Sequence, residues 1–404
     1  MGSVEVVVTG IGLLSALGSL EHNWQHLLEG KSAICQQQPF LDLPSRPLAL
    51  LECTTTSLEK LTQQVVAEAI QDANLSLPLP ECGVAIGSSR SCQGTWEQLA
   101  RELRTGEPRN QQTFPLSPSP SFLPSCGQSR VPKLEHWLNT LPHSPAIAVA
   151  RQIGSTGPVL APMAACATGI WAIAQGFELI QTGQCQQVIV GAVETPITPL
   201  TLAGFDKMGA LATTGAYPFD KQREGFVLGE GGAVLVLEAA DLARSRSTLV
   251  YGKVLGFGLT NDADRRSAPA TDRHSAIAAI KQCLERSHLS PSDINYIHAH
   301  GTGTQLNDRN EAQLIQELFP WGVPVSSTKG ATGHTLGASG ALGAAFCLKA
   351  LKHQLLPPCV GLKEPEFELD VVTTPRRGAI RRVLCLSFGF GGQNAVLTLA
   401  GASA

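Results

Sequence analysis

The sequence predicts an α/β protein whose mostly parallel sheets are covered by helices. Short β-branched runs alternate with stretches of helical periodicity, and glycine-rich turns sit beside the predicted strands. The chain has 404 residues, 43% of them hydrophobic and only 16% charged. That composition supplies a large core and fits two or three units, or one double-sized unit built by duplication.

Val4 to Thr9, ending in Gly10-Ile11-Gly12, reads as the first strand. A helical stretch runs from about Leu58 to Ala73, and Gly83-Val84-Ala85-Ile86-Gly87 repeats the strand-then-glycine pattern. Arg104 to Pro145 breaks the rhythm with Pro108, Pro115, Pro118 and Pro120 among Ser, Gln and Asn, which predicts a long irregular excursion acting as a cap. Regular structure resumes with a short strand over Pro158 to Met163, a helix over Ala167 to Thr182 and a strand over Gln187 to Val193. That is a βαβ unit with Cys166 at its first turn. Gly232 to Leu237, Ile294 to Ala299, Val323 to Ser326 and Ala395 to Leu399 are further strands, and His274 to Ser287, Asn310 to Leu318 and Ala338 to Leu351 are helices. Two halves, 1–245 with the cysteine and the cap and 246–404 with two histidine loops, account for the length.

Net charge is −3 and the pI is near 6.4, with Lys/Arg clusters no longer than pairs such as Arg265-Arg266, so nothing global attracts nucleic acid. No run approaches the ~20 apolar residues of a spanning helix, and Met1 to Val8 lacks the pattern of a leader. No membrane partner and a cytoplasmic setting are expected. The 11 cysteines show no CxxC pair and no Cys/His metal spacing, so neither a disulfide framework nor a metal is expected. Phosphate loops of the GxGxxG or GxxxxGK[ST] kind are missing, and no cofactor is implied.

In Met163-Ala164-Ala165-Cys166-Ala167-Thr168-Gly169 an apolar strand delivers a cysteine, among small residues, to a helix N-terminus. The N–H groups and the positive dipole end there favour a thiolate, against the alternative of a buried structural cysteine. His298-Ala299-His300-Gly301-Thr302-Gly303-Thr304 follows one strand, and Ser327-Thr328-Lys329-Gly330-Ala331-Thr332-Gly333-His334 follows another. Both put an imidazole at a strand's C-terminal edge, where open α/β sheets build their sites. Taken singly each histidine is a structural hydrogen-bonder, but two of them with a placed cysteine point to nucleophilic catalysis. In Ser387-Phe388-Gly389-Phe390-Gly391-Gly392 the flanking glycines free the Phe390 N–H to face a site as an oxyanion-hole donor, with its ring as a gate. The alternative is a tight hairpin with a core phenylalanine.

These motifs, together with Val6-Val7-Val8-Thr9-Gly10-Ile11-Gly12 and Pro218-Phe219-Asp220 leading to Gly225-Phe226-Val227-Leu228-Gly229-Glu230-Gly231, resemble the β-ketoacyl-[acyl-carrier-protein] synthases, type I/II, over nearly the whole chain. The resemblance implies a thiolase-like five-layered α-β-α-β-α fold of two similar halves, a homodimer, and acyl carrier protein as partner. It implies an acyl group on Cys166 that a decarboxylated malonyl-ACP attacks, lengthening the chain by two carbons as in fatty-acid biosynthesis. His300 and His334 would stabilise the malonyl oxygen, and the N–H groups of Cys166 and Phe390 the acyl oxygen. Lys329 would fix His334, and Thr302 and Thr304 would bond the pantetheine arm. Trp96 would line the floor of the acyl channel and favour short or medium chains. A second histidine where type III enzymes carry asparagine narrows the resemblance to the I/II branch.

The chain departs from the pattern in several places. Gly343 stands where the family carries a glutamate linked to the lysine and to a cation-like site. Gly209 replaces an arginine, and the stretch Glu59-Lys60-Leu61-Thr62-Gln63-Gln64 is thin in basic residues, leaving Lys207, Arg130 and Lys133 to meet an acidic carrier. A specialised polyketide or unusual-lipid ketosynthase, a chain-length-factor-like partner and a cysteine hydrolase are the competing readings.

Overall fold

The structure is a computed structural model and describes residues 4–52, 57–105, 137, 140–263 and 273–402. The expected excursion over 104–145 lies largely outside the described residues.

Ten strands form the main path of an 11-stranded sheet. They are β1 (Val6–Ser15), β2 (Gly83–Gly87), β3 (Val159–Leu160), β4 (Gln187–Glu194), β5 (Gly231–Ala239), β6 (Gly252–Asn261), β7 (Tyr296–His298), β8 (Val325–Ser326), β9 (Arg382–Gly389) and β10 (Gln393–Gly401). Their spatial order is β3-β2-β4-β5-β1, then β6-β10-β9-β7-β8. In the first five strands β2 runs parallel to β3 and β4, while β5 is antiparallel to both β4 and β1. The second five repeat that scheme: β7 is parallel to β8 and β9, and β10 is antiparallel to both β9 and β6. The two sets join only where Val6 to Val8 of β1 pair with Gly252 to Val254 of β6.

The expectation of mostly parallel sheets is therefore corrected, since the strands nearest the join are antiparallel. The first strand also runs on past its glycines to Ser15. Gly10 and Gly12 lie under helix α1 (Leu58–Asp72), and a Cβ at Gly12 would sit 1.8 Å from the Val65 carbonyl oxygen. They are contact points for a helix rather than the strand's end.

Helices α2 (Gln93–Thr105), α3 (Ser144–Ile153), α4 (Thr168–Gln181), α5 (Pro199–Lys207), α6 (His274–Arg286), α7 (Gln305–Leu318) and α8 (Ser339–His353) complete the frame. α1 and α3 cover the outer face of the first set through Val65, Ala69, Val149 and Ile153, packed on Val84, Ile86 and Ile189. α6 and α7 cover the second set through Ile280, Leu314 and Ile315, packed on Ile297, Val325 and Leu384. Between the sheets lie α4 and α8, and every residue of α8 from Ser339 to Leu351 is buried. The two helices touch so closely that a Cβ at Gly169 would meet the Ala341 nitrogen at 2.5 Å. The layers thus run α-β-α-β-α. Among the described residues no helix is long and apolar enough to cross a membrane.

Candidate active site

Strand β3 ends at the sheet's first edge, and the chain turns through Ala164, Ala165 and Cys166 into α4. Ala165 takes a left-handed φ of +48°, and the Thr168 hydroxyl ties the turn by accepting from the Ala164 N–H at 2.9 Å and donating to the Ala165 carbonyl at 2.7 Å. The loop after β9 closes over it. A Cβ at Gly389 would lie 2.9 Å from the Ala164 oxygen and 3.1 Å from the Cys166 nitrogen, so only glycine admits that approach. The Ser387 hydroxyl donates to the Cys166 carbonyl at 2.8 Å, and the Phe390 N–H is directed at the Cys166 sulfur.

Cys166 is only 3% exposed. Burial pushes its thiol up to about 11, against the opposing pull of the Lys329 charge and the Phe390 N–H. This corrects the expected thiolate. Desolvation of the buried sulfur favours the neutral thiol.

The second set of strands brings in the histidines. His300 leaves β7 and His334 follows β8; their ring centroids are 5.3 Å apart at an interplanar angle of 80°. Polar atoms of Cys166, His300 and His334 all lie within 4.8 Å of one another. These three are also the residues, among those described, whose spacing admits a metal ion, and a thiolate with two imidazoles is a donor set of the zinc type. Burial, reinforced by the Lys329 charge, holds both imidazoles well below their ordinary 6.5. They are neutral at neutral pH. His334 Nδ1 lies 2.9 Å from the Ser339 hydroxyl, and with that hydroxyl donating, Nε2 carries the proton. The His300 Nδ1 is buried without a partner among the described residues.

Lys329 is buried but does not hold His334. Its ammonium donates to the His300 carbonyl oxygen, fixing the other histidine's loop. Two acids that the sequence reading missed complete this support. Glu311 accepts from the His300 and Gly301 N–H groups at 2.6 and 2.7 Å, and Asp308 accepts from those of Thr302 and Phe219 at 3.0 and 2.8 Å. Their signal was the i, i+3 spacing of two acids on the helix that follows the loop. Glu311 is pushed up to about 7 by burial, and Lys329 is lowered by the same cause.

A Cβ at Gly343 would stand 2.9 Å from both the Cys385 sulfur and the His298 ring. His298, bonded to the Thr328 hydroxyl at 3.1 Å, fills the space a glutamate would need, and Glu311 is the carboxylate that faces Lys329 instead.

Thr302 and Thr304 share a hydrogen bond at 3.0 Å, and Thr304 also caps α7 by accepting from the Asn307 N–H. Phe390 packs against Phe205 and Phe226, with centroids 5.6 and 6.5 Å away, in the apolar cluster that contains Cys166. Trp96 is 44% exposed on α2 and lies outside that cluster. Lys207 is exposed at the end of α5, Gly209 takes a left-handed φ of +63°, and Arg130 and Lys133 lie outside the described residues.

A cysteine, two neutral imidazoles and a directed backbone N–H, carried on the loops of two similar half-sheets, form a group suited to nucleophilic acyl chemistry beside hydrogen-bond donors. The models of the β-ketoacyl synthase N-terminal and C-terminal domains match residues 54–243 and 251–363. The chain is 31% identical over 425 residues to a 3-oxoacyl-[acyl-carrier-protein] synthase 2 of Staphylococcus aureus, covering 98% of each. It is 33% identical over 423 residues to the enzyme of that name from Synechocystis, covering 97% of each. Among solved structures it resembles a type II polyketide ketosynthase in complex with its acyl-carrier protein and bound to the hexaketide (TM-score 0.89, 26% identity, 99% of this chain and 100% of that one). It also resembles a β-ketoacyl synthase from Burkholderia phymatum (TM-score 0.86, 26% identity, the same coverage). The chain belongs to the β-ketoacyl synthase family of acyl-transferring condensing enzymes, with the thiolase-like fold.

Proposed function

We propose that this chain is a β-ketoacyl-ACP synthase that condenses malonyl-ACP with an acyl group held on Cys166. The observation that carries the reading is the meeting of Cys166, His300 and His334 within 4.8 Å, with the Phe390 N–H aimed at the sulfur.

The Cys166 thiol attacks the acyl-carrier thioester, its proton leaves with the carrier thiol, and the acyl group remains on sulfur. Malonyl-carrier then enters, and loss of CO2 puts negative charge on its thioester oxygen. Two neutral N–H donors from His300 and His334 stabilise that oxygen without first being deprotonated. The enolate carbon attacks the acyl carbonyl, whose oxygen is received by the N–H groups of Cys166 and Phe390. Collapse expels the Cys166 thiolate, which takes up a proton. Thr302 and Thr304 flank the pantetheine arm.

In this reading residues 1–245 and 246–404 are the two functional halves. The protein works in the cytoplasm with an acyl carrier protein, met in part by Lys207, and pairs as a homodimer. Support for pairing comes from the free edge of β3, from the 55% exposed Met163, and from a groove lined by Leu160, Trp171 and Leu259. The sequence relatives' names favour fatty-acid elongation by two carbons. The ketosynthase seen with its hexaketide favours a second reading, a specialised polyketide or unusual-lipid pathway.

Intact-mass spectrometry after acyl-ACP and then malonyl-ACP tests the chemistry. The expected result is an adduct on Cys166 that malonyl-ACP converts to a β-ketoacyl-ACP two carbons longer. An adduct that malonyl-ACP leaves untouched would refute condensation.

A further inference from the structure

Strand β2 ends in Gly87-Ser88-Ser89-Arg90, a loop with the same place in the first half that the His300 loop has in the second: each follows the strand flanked on both sides by parallel neighbours. Its backbone is anchored by Glu194, whose Oε1 accepts from the Ser88 hydroxyl at 3.1 Å and from the Ser89 and Arg90 N–H groups. Arg90 is thereby delivered to the apolar cluster of Cys166, Ile197, Leu202, Phe205, Phe226 and Phe390. Its guanidinium lies 5.3 Å from the Phe205 ring centroid, and its charge acts on the Cys166 thiol.

Arg90 is partly buried, and its Nε is fully covered with no hydrogen-bond partner among the described residues. No carboxylate among those residues pairs with the guanidinium. Glu194 is turned to the backbone, and Glu97 is held by Gln93 at 2.8 Å, Thr198 at 2.7 Å and the Leu200 N–H at 3.0 Å. A stacked phenylalanine offsets part of the cost of burying the charge but leaves the Nε–H unmet. A saturated acyl tail laid into this cluster would leave it unmet as well. An acyl group with an oxygen at its far end would satisfy it with a charge-assisted hydrogen bond, for which a guanidinium is suited.

We propose that Arg90 selects the acyl group carried on Cys166, and that the selected group ends in an oxygen acceptor, a carboxylate or a ketone, rather than in a hydrocarbon tail. This rests on the condensing reading and assigns its substrate class. Arg90, and not Trp96, is then the residue that bounds the acyl chamber.

The test loads full-length wild type, Arg90→Met and Arg90→Lys with hexanoyl-, 5-oxohexanoyl- and adipoyl-ACP, and follows Cys166 adduct formation by intact mass. Wild type should take at least one oxygenated acyl group about 10- to 100-fold faster than hexanoyl, the worth of one hydrogen bond to a charged group. Arg90→Met should bring that ratio to one or below, and Arg90→Lys should keep most of it. Faster adipoyl loading would identify a carboxylate ligand, and faster 5-oxohexanoyl loading a keto ligand. Equal loading of all three by wild type would overturn the proposal, as would a preference that survives Arg90→Met. Should Arg90→Met fail to fold, as judged by its melting curve, the wild-type panel and Arg90→Lys decide. CO2 release from malonyl-ACP by the same wild-type preparation separates the two claims. Release without an acyl preference removes only the role of Arg90, whereas no release and no adduct removes the condensing reading.

Discussion

The two half-sheets share one topology and present different side chains at corresponding strand ends. In each, the strand at the outer edge runs into a loop and then into the buried central helix. In the first half that loop presents Cys166 ahead of α4; in the second it presents Lys329 and His334 ahead of α8. The middle parallel strand is followed in the first half by Arg90 and in the second by His300. In the proposed reaction one half holds the acyl group, and the other acts on the malonyl unit. Two similar frames can divide a reaction in this way because corresponding loops meet at one site, while each loop is free to change its side chains.

If that division holds, removing donors from the second half should leave the first half's chemistry intact. His300→Ala and His334→Ala should each lower CO2 release from malonyl-ACP by about 100- to 1,000-fold, the usual cost of one oxyanion donor. The acyl adduct on Cys166 should still form. Loss of the adduct in both variants would break the comparison.

Next in size is the packing behind the second half's loop. Gly343→Ala forces a methyl group within 2.9 Å of the His298 ring and the Cys385 sulfur, and should cost about 1–3 kcal/mol in denaturant unfolding. Pairing it with His298→Ala should recover part of that loss. An additive double variant would show that His298 does not occupy the missing glutamate's space.

Protonation sharpens the contrast. The imidazoles sit well below 6.5 in the fold, so they stay neutral as pH falls through 6.5, and CO2 release should hold level there and decline only well below it. The unfolded chain takes up those protons near 6.5 first, so folding stability should already be falling in that range. The Cys166 thiol lies near 11, so iodoacetamide alkylation of the resting enzyme should keep rising toward that pH rather than level off near 9. The smallest effect concerns metal: chelation should leave condensation unchanged, and lost activity restored by zinc would reassign Cys166, His300 and His334 as ligands.

Most of this site was legible because its loops are short and glycine-marked. Cys166, His300, His334 and the Phe390 turn each follow or precede an apolar run, and strand-end geometry brings them together. What was hidden depends on packing between distant segments. Gly10 and Gly12 read as a terminus until α1 is seen lying on them. The antiparallel join of β1 and β6 links residues far apart in the chain. Lys329 could not be assigned to the His300 carbonyl, nor Arg90 to the face of Phe205, because neither partner lies nearby in sequence. The thiol's resting state was misread because local dipole effects can be read from a motif, whereas burial cannot.

The most direct test of the division between halves is Cys166→Ala, assayed on one preparation for acyl adduct and for CO2 release from malonyl-ACP. No adduct and no condensation are expected, with CO2 release retained through His300 and His334. Loss of CO2 release in a folded Cys166→Ala protein would show that the two halves do not act separately.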